Sequence, residues 1–325
     1  MNDKLFEMLK NAKSVAIIAH ISPDADALCS MVLLKNFLVR TLKKRVDIFA
    51  ESDEILDKYS VILKDIKINK PIKTYHTAII LDCPNLPRVG KYGAIFEGAK
   101  QKIVIDHHDT NNFKADVKIV KKVSSTCEIL YALLKKYKYE FSPFDYGIVY
   151  AGIITDTNNL SVGAMNSNTF KIISECFPHI DQQAIYNHFF SQNTLRNMKL
   201  FALAIENIVT FSHGKIIITH ITHEEAKRYK AGDNDYVGII NRLATISGNK
   251  LVCFSYPKGE EYYVSMRAKR GYDCSQIALT RGGGGHKGAS AYLSNERLQK
   301  IEQEILQEFT SQIQNAKQQI KQKIF

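Results

Sequence analysis

Three short apolar runs in the first third of the chain show no alternation with polar residues. They are VAIIA at 15–19, TAIIL at 77–81 and KIVI at 102–105. Runs of this length and β-branched composition are typical of strands covered by helices on both faces, and such strands are parallel. The pattern therefore predicts an α/β fold with a parallel sheet in the first domain.

Between and after these runs, apolar residues recur at helical spacing. Helices are predicted at 26–44, 124–137, 142–157, 167–177, 181–190 and 193–208. Ser125 or Thr126 suits the start of the second of these helices, and Glu128 follows in the manner of a capping box. The pattern predicts a first domain at 1–190, and a linking helix at 191–205 that leads to a second domain.

The second half, 206–325, has a different pattern. Strands are predicted at 215–221, 250–257 and 261–269, and helices at 235–246 and 274–281. A smaller mixed sheet with helices follows from this order. Near the C-terminus, an apolar stripe at helical spacing predicts a helix packed on this domain. The stripe consists of Leu298, Ile301, Ile305, Phe309 and Ile313.

Composition narrows the class of protein. The chain has 325 residues, of which 45% are hydrophobic, enough for two cores. Its apolar runs are too short to cross a bilayer, and its six cysteines form no C-x-x-C pair, so neither a membrane anchor nor a disulfide framework nor a zinc site is expected. We expect a cytoplasmic protein. The net charge of +11 favours a polyanionic ligand, although a lysine-rich composition alone would also produce it.

Aspartate and histidine close the apolar runs. The candidate ligands are His20, Asp24 and Asp26 in HISPDADA, then Asp82, Asp106, His107, His108 and Asp156. A single Asp in such a place is usually a cap or turn residue. Here, however, three strands end in such residues, and the carboxyl ends of parallel strands share one edge of the sheet. The pattern predicts a site for two divalent metal ions.

The ligand types suggest which metal is bound. Oxygen-rich sites with a minority of imidazoles suit Mn²⁺ better than Zn²⁺, with Mg²⁺, Co²⁺ or Fe²⁺ as alternatives. Asp156 lies at the end of 142–157, which is predicted as a buried helix, and a buried carboxylate there is costly unless a cation or partner compensates it. Metal ligation would explain its position.

Four glycines at 282–285 precede His286. Glycines let a backbone approach a ligand closely and let its N–H groups bind phosphate, although a run of them is also found in flexible turns. With Arg267 on a preceding strand, this segment predicts an anion site.

These motifs carry a family resemblance. HISPDADALCS, the triplet Asp106-His107-His108 and SMRAKRGYDCSQIALTRGGGGHKGAS at 265–290 resemble a DHH-family phosphoesterase with its C-terminal DHH-associated domain. The resemblance covers nearly the whole chain. It points to the subgroup of nano-RNases and phosphatases of 3'-phosphoadenosine 5'-phosphate (pAp), which shares its layout with cyclic di-AMP phosphodiesterases.

The resemblance assigns roles to the candidate residues. It implies that His20, Asp24 and Asp82 hold one metal, and that Asp26, Asp82, His107 and Asp156 hold the other. Asp106 would orient His107, while His108 would face the scissile phosphate. Arg267, Gly284, Gly285 and His286 would bind the substrate's terminal phosphate or sugar, with the active site in the cleft between the domains. Two positions depart from the family pattern, Ala268 and Ser290.

The function expected from this resemblance is hydrolysis of short oligoribonucleotides, from dinucleotides to about pentanucleotides, and of pAp. A cyclic di-AMP phosphodiesterase is the alternative. A single-strand exonuclease resembling RecJ would carry an additional domain, and a non-catalytic nucleotide-binding module would be expected to lose ligands. A family II pyrophosphatase lacks the glycine-histidine motif. Short nucleotides are the expected partners, without long nucleic acid, and the family suggests a homodimer.

Overall fold

A computed structural model describes residues 3–51, 59–63, 66, 68–69, 74–191 and 193–322, apart from the side chains of His286 and 317–322. The chain divides into two compact units, Met1–Ser191 and Gln192–Phe325. No helix in the described ranges is long and apolar enough to span a membrane.

The first unit contains a five-stranded sheet in the order β2-β1-β3-β4-β5, in which every pair of neighbours is parallel. The strands are β1 (Val15–Ile18), β2 (Val46–Phe49), β3 (Thr77–Leu81), β4 (Gln101–Asp106) and β5 (Val117–Val120). The three apolar runs are the three central strands, so the predicted parallel sheet is confirmed. The edge strands escaped prediction because a charged residue interrupts each apolar run, Asp47 in β2 and Lys118 in β5, and β5 is only partly buried.

Helices cover both faces of this sheet. They are α1 (Lys4–Asn11), α2 (Ala25–Arg40), α3 (Ser60–Leu63), α4 (Gly93–Gly98), α5 (Thr126–Lys136), α6 (Pro143–Asp156), α7 (Ser167–Cys176) and α8 (Gln182–Phe190). Short 3-10 helices lie at Leu86–Tyr92 and Phe177–His179. Successive strand residues enter opposite cores: Ile17 packs with α2, α5 and α6, whereas Ile18 packs with α4. This two-sided burial explains the missing alternation.

The second unit contains a six-stranded sheet in the order β10-β11-β9-β8-β7-β6. The strands are β6 (Val209–Phe211), β7 (Ile216–His220), β8 (Leu251–Lys258), β9 (Glu261–Ala268), β10 (Gly284–His286) and β11 (Ala289–Ser294). Strands β7 and β8 are parallel and the other pairs are antiparallel, as predicted for a mixed sheet.

The helices of the second unit are α9 (Leu195–Glu206), α10 (His223–Arg228), α11 (Ile239–Leu243), α12 (Ser275–Leu279) and α13 (Leu298–Gln322), with a 3-10 helix at Asp233–Tyr236. Four residues of the predicted α13 stripe, Ile301, Ile305, Phe309 and Ile313, pack into the core on one face of the sheet, and Leu298 is also buried. Helix α9, expected as a link, packs Leu200 and Ala204 into the core on the other face. It therefore lies within the second unit.

Part of the glycine run forms a strand. Gly284 and Gly285 belong to strand β10, where Gly284 pairs with Ala291 and Gly285 with Ser290. A Cβ on Gly283 would lie 2.5 Å from the Cβ of Tyr292, and one on Gly285 would lie 2.6 Å from the Cα of Ser290. Close packing on β11 thus requires glycine at these two positions, independently of any ligand.

Candidate metal centre

Three neighbouring strands of the first sheet present the candidate ligands at their carboxyl ends. His20 lies two residues beyond β1, Asp82 directly follows β3, and Asp106 is the last residue of β4. All three side chains are buried. Asp24 and Asp26 follow from the start of α2, where Asp24 caps the helix by accepting from the N–H of Ala27 at 3.0 Å.

Asp82 occupies the middle of the cluster. Its φ is +53°, in the left-handed region that Asp tolerates better than most residues. Its Oδ2 lies 3.9 Å from Nε2 of His20, and its Oδ1 lies 3.3 Å from Nε2 of His107. The two oxygens of one buried carboxylate therefore face two different imidazoles.

The ligand atoms form three overlapping groups, each with mutual distances within 4.8 Å. The groups are His20-Asp24-Asp82, Asp26-His107-Asp156 and Asp82-His107-His108. Asp156 ends α6 and lies 3.4 Å from His107. The structure thus brings together all six residues expected to hold metal, with Asp82 shared between two groups.

The start of helix α5 donates hydrogen bonds to the carboxylates of Asp26 and Asp82. The backbone N–H groups of Thr126 and Cys127 donate to the two oxygens of Asp26 at 2.7 and 3.1 Å, and the Thr126 hydroxyl donates to Asp82 at 3.0 Å. Unpaired N–H groups at a helix start favour negative charge. The sequence marks this helix start only by its cap residues, and the structure shows that its N–H groups also hold Asp26.

Gly152, in the middle of α6, gives Asp26 the space it occupies. A Cβ there would lie 2.7 Å from Oδ1 of Asp26 and 2.8 Å from the Cβ of Cys127. Since helix interiors disfavour glycine, the close packing against Asp26 explains why glycine occupies this position.

The hydrogen bonds of the Asp-His-His triplet differ from the expected ones. Asp106 was expected to orient His107, but its Oδ1 accepts from Nδ1 of His108 at 2.7 Å. Nδ1 of His107 instead lies 3.3 Å from the carbonyl oxygen of Val123. Asn111, which sequence reasoning missed, donates to the other oxygen of Asp106 at 2.7 Å. Asp106 therefore positions the imidazole of His108, and it also accepts from the backbone N–H of His107 at 2.9 Å, while the ring of His107 faces a backbone carbonyl.

The pKa values of the site reflect several carboxyl groups that lie close together. Burial and the charges of Asp82 and Asp156 raise the pKa of Asp26 well above its ordinary value, and burial raises that of Asp156 to about 6. Burial opposes charge on His107, but the hydrogen bond to Asp82 and the nearby carboxylates raise its pKa to about 10. Burial would also raise the pKa of Asp82, yet the imidazoles hold it below normal.

The donor set fits divalent cations. Within the described ranges, no lysine or arginine lies at ion-pair distance from Asp24, Asp26, Asp82 or Asp156, and the ion pairs of Asp24, Asp82 and Asp156 are with histidines. Buried carboxylates that repel one another need compensating charge. These oxygen and imidazole groups could bind divalent metal ions. Asp82 could contribute one oxygen to each of two ions.

The candidate substrate-binding residues lie in the second unit. Arg267, on β9, donates through Nε to Oδ1 of Asn241 at 3.0 Å and through a terminal nitrogen to the carbonyl of Met266 at 2.9 Å. The backbone of His286 pairs with Ala289. Of the two departures, Ser290 is buried and donates to the carbonyl of Cys274, and Ala268 donates its N–H to Gly288.

Comparison with known proteins assigns both halves of the chain to families. Residues 14–153 match the model of the DHH family, N-terminal domain, and residues 214–316 match the DHHA1 domain. The two matches fall within the two units of the structure.

Relatives match along almost the whole chain. A protein of Thermus thermophilus named "Bifunctional oligoribonuclease and PAP phosphatase NrnA" is 25% identical and covers 95% of this chain and 94% of its own. A Streptococcus mutans protein named "Probable bifunctional oligoribonuclease and PAP phosphatase NrnA" is 26% identical, with coverages of 87% and 91%.

A solved structure has the same fold. The exopolyphosphatase-related protein from Bacteroides fragilis superposes with a TM-score of 0.84 over 98% of this chain and 97% of its own, at 24% identity. The metal-ligand types at the strand ends and the two matched domains lead to one conclusion. The chain belongs to the DHH family of phosphoesterases.

Proposed function

We propose that this protein is a manganese-dependent phosphoesterase that hydrolyses short oligoribonucleotides, from dinucleotides to about pentanucleotides, and also converts pAp to AMP. The observation that carries the proposal is the position of Asp82. Its two oxygens face His20 and His107, which belong to different ligand groups, as a bridging carboxylate requires.

In this proposal His20, Asp24 and Asp82 hold one ion, and Asp26, Asp82, His107 and Asp156 hold the other. When bound, two such ions would activate water and stabilise charge for a displacement at phosphorus. The helix start at Thr126 and Cys127 keeps Asp26 oriented as a ligand. In this proposal His108, held by Asp106, would stabilise charge on the phosphate or protonate the leaving oxygen.

The names of the Thermus thermophilus and Streptococcus mutans relatives support the choice of substrates. Arg267 and the β10 segment Gly284, Gly285 and His286 supply the phosphate-binding residues of the second unit. Burial holds the pKa of Arg267 below its usual value, yet among the described residues no carboxylate pairs with it. A half-buried guanidinium without an acidic partner suits an anionic ligand.

A substrate panel tests the proposal. Linear 5'-phosphorylated oligoribonucleotides of increasing length, pAp and cyclic di-AMP are compared by kcat/KM with Mn²⁺ present. A terminal phosphate bound by Arg267 positions the scissile one, so short linear substrates should be cleaved most efficiently. The cyclic compound lacks a terminal phosphate and should be slower.

Two outcomes would contradict the proposal. Preference for cyclic di-AMP over its linear product would indicate a cyclic dinucleotide phosphodiesterase, with the same metal chemistry. Full activity of chelator-treated protein without added metal would rule out the metal centre itself.

A further inference from the structure

The part of the second sheet beside Arg267 has an unusual side-chain pattern. Along the same face of β9, alternate residues are Tyr263, Ser265 and Arg267, and β11 places Leu293, Ala291 and Ala289 opposite them in register. The middle of this surface therefore consists of small residues, of which Ala289 and Ala291 are partly exposed and Ser265 is buried beside them. Arg267 lies at one end of this surface, and Tyr263 and Leu293 lie at the other.

Arg267 is the cation at one end. Three other arginines pair with carboxylates: Arg40 with Asp145, Arg196 with Asp235 and Arg281 with Glu304. Arg267 instead donates to the neutral groups of Asn241 and Met266, which use two of its five N–H donors. Asn241 thereby fixes the guanidinium, and among the described residues no carboxylate occupies its remaining donors, which suits them to an anion.

Tyr263 is the aromatic end. It is half-buried, and its ring lies 5.4 Å from that of Tyr256, which in turn stacks on Tyr236 at 4.3 Å. Its cross-strand neighbour Leu293 is 44% exposed, a large apolar side chain without full burial. Lys258 lies 5.4 Å from the ring, but its side chain is exposed and can move into solvent. Tyr263 thus ends a rigid aromatic row beside exposed apolar surface.

The two ends suit one ligand. Four residues along a strand separate Tyr263 from Arg267, about 13 Å between their Cα atoms. This is comparable with the length of a nucleotide from its phosphate to the far edge of its base. Small residues between the ends let a flat ligand lie against the strands. Aromatic rings stack on bases of any sequence, and arginine binds phosphate in a forked geometry.

We propose that this surface is a nucleotide subsite, in which Arg267, held by Asn241, binds a phosphate and Tyr263 stacks on the attached base. The subsite deepens the proposed function, on which it rests, because it makes one base of the short substrate a source of binding energy. Tyr263 is then a residue that discriminates nucleotides from base-free phosphoesters, and Asn241 is a positioning residue for Arg267.

Steady-state kinetics on a linear 5'-phosphorylated diadenylate test the role of Tyr263. Tyr263→Ala should raise KM about tenfold or more, since base stacking contributes at least this much. Tyr263→Phe keeps the ring and should resemble the wild type, while Tyr263→Leu keeps only apolar bulk and should fall between them. The control is Tyr262→Ala, the adjacent tyrosine on the opposite face of β9, which contacts His223 and should leave KM unchanged.

A dinucleotide that lacks one base isolates stacking from other effects. If Tyr263 acts on that base, Tyr263→Ala and wild type should cleave the matching abasic substrate with equal kcat/KM. Equal losses on the complete and abasic substrates, or an unchanged KM on both, would overturn the subsite.

Binding without hydrolysis separates this proposal from the proposed function. The full chain, treated with chelator, is titrated with 2-aminopurine riboside 5'-monophosphate, whose fluorescence is quenched by stacking. Quenching that requires both Tyr263 and Arg267 supports the subsite even if the wild type hydrolyses no dinucleotide, which would refute the proposed function alone. Quenching unaffected by Tyr263→Ala would refute the subsite alone.

Discussion

Nδ1 of His108 lies 2.7 Å from Oδ1 of Asp106, whose carboxylate is fully buried. This hydrogen bond raises the pKa of His108 and fixes the orientation of its ring. His108 is 40% exposed, more than the neighbouring His107, so its free edge is accessible to a substrate. The pair therefore resembles a general acid with its orienting group.

The first prediction follows from this pair. His108→Ala should lower kcat by about a hundred- to ten-thousandfold, the usual contribution of general acid-base catalysis, with metal content unchanged. His179→Ala, an exposed histidine that stacks on Tyr146, serves as the control. Loss of a metal ion in His108→Ala would instead make His108 a ligand of the Asp82-His107-His108 group.

A double-mutant cycle assigns Asp106. If Asp106 acts only by positioning His108, Asp106→Asn should lower kcat in the wild type but have little further effect in His108→Ala. Additive losses in the double variant would show a separate role for Asp106.

The second prediction concerns Asp82. Asp82→Asn should abolish activity and reduce the content of both metals, because the lost charge serves two ligand groups. The measurements are metal content by mass spectrometry, activity with added Mn²⁺, and circular dichroism to show that the protein stays folded. Asp109→Asn is the control, since Asp109 is exposed and pairs with Lys122 at the surface. Retention of one tightly bound ion in Asp82→Asn would contradict the bridging role.

The third prediction uses two glycines of α6. Gly152→Ala places a Cβ against Asp26 and Cys127, so it should weaken metal binding and lower the free energy of unfolding by about 1–3 kcal/mol. Gly147→Ala meets only Ile185 at 3.7 Å and should be stabilising, by up to about 1 kcal/mol. Urea unfolding and metal titration measure the two effects. A neutral Gly152→Ala would show that the space beside Asp26 is not required.

The fourth prediction concerns the phosphate-binding residues of the second unit. Arg267→Ala and His286→Ala should each lower kcat/KM on linear dinucleotides by roughly ten- to a hundredfold, since hydrogen bonds to charged groups contribute about 1.5–3 kcal/mol. Arg267→Lys keeps the charge but loses the forked geometry, so it should restore activity only partly. Metal content should not change, and its collapse in either alanine variant would refute the assignment.

The fifth prediction is a pH dependence of stability. His220, at the end of β7, donates from Nδ1 to Glu302 of α13 at 2.6 Å, and this bond, with the charge of Glu225, raises its pKa. A raised pKa in the folded state means that the stabilisation is complete below about pH 6.5, the ordinary value for histidine. It is lost as the pH rises through the folded-state pKa.

Thermal unfolding across this range tests the pair. The wild type should lose about 1 kcal/mol more than Glu302→Gln between pH 6 and pH 9, a value that allows for partial solvent exposure. Parallel pH curves for the two proteins would show that the pair contributes nothing.

Local sequence determined the central strands, the helix carrying Asp156 and the ligand types at the strand ends. A strand is apolar where both of its faces are buried, so β1, β3 and β4 can be recognised in the sequence as apolar runs. The stripe of α13 was also evident, because its five residues follow the helical period by themselves. These features depend on neighbours along the chain.

Tertiary structure alone decided how the site is held. Thr126 donates to Asp26 across 100 residues of sequence, and Gly152 is needed only because α6 passes beside that carboxylate. The exchange of partners within the triplet, with Asp106 bound to His108, depends on backbone direction after β4. The glycines of β10 likewise acquire their packing role only through the register with β11. Hydrogen bonds and close contacts between distant segments follow from how the elements pack, and no local pattern in the chain records them.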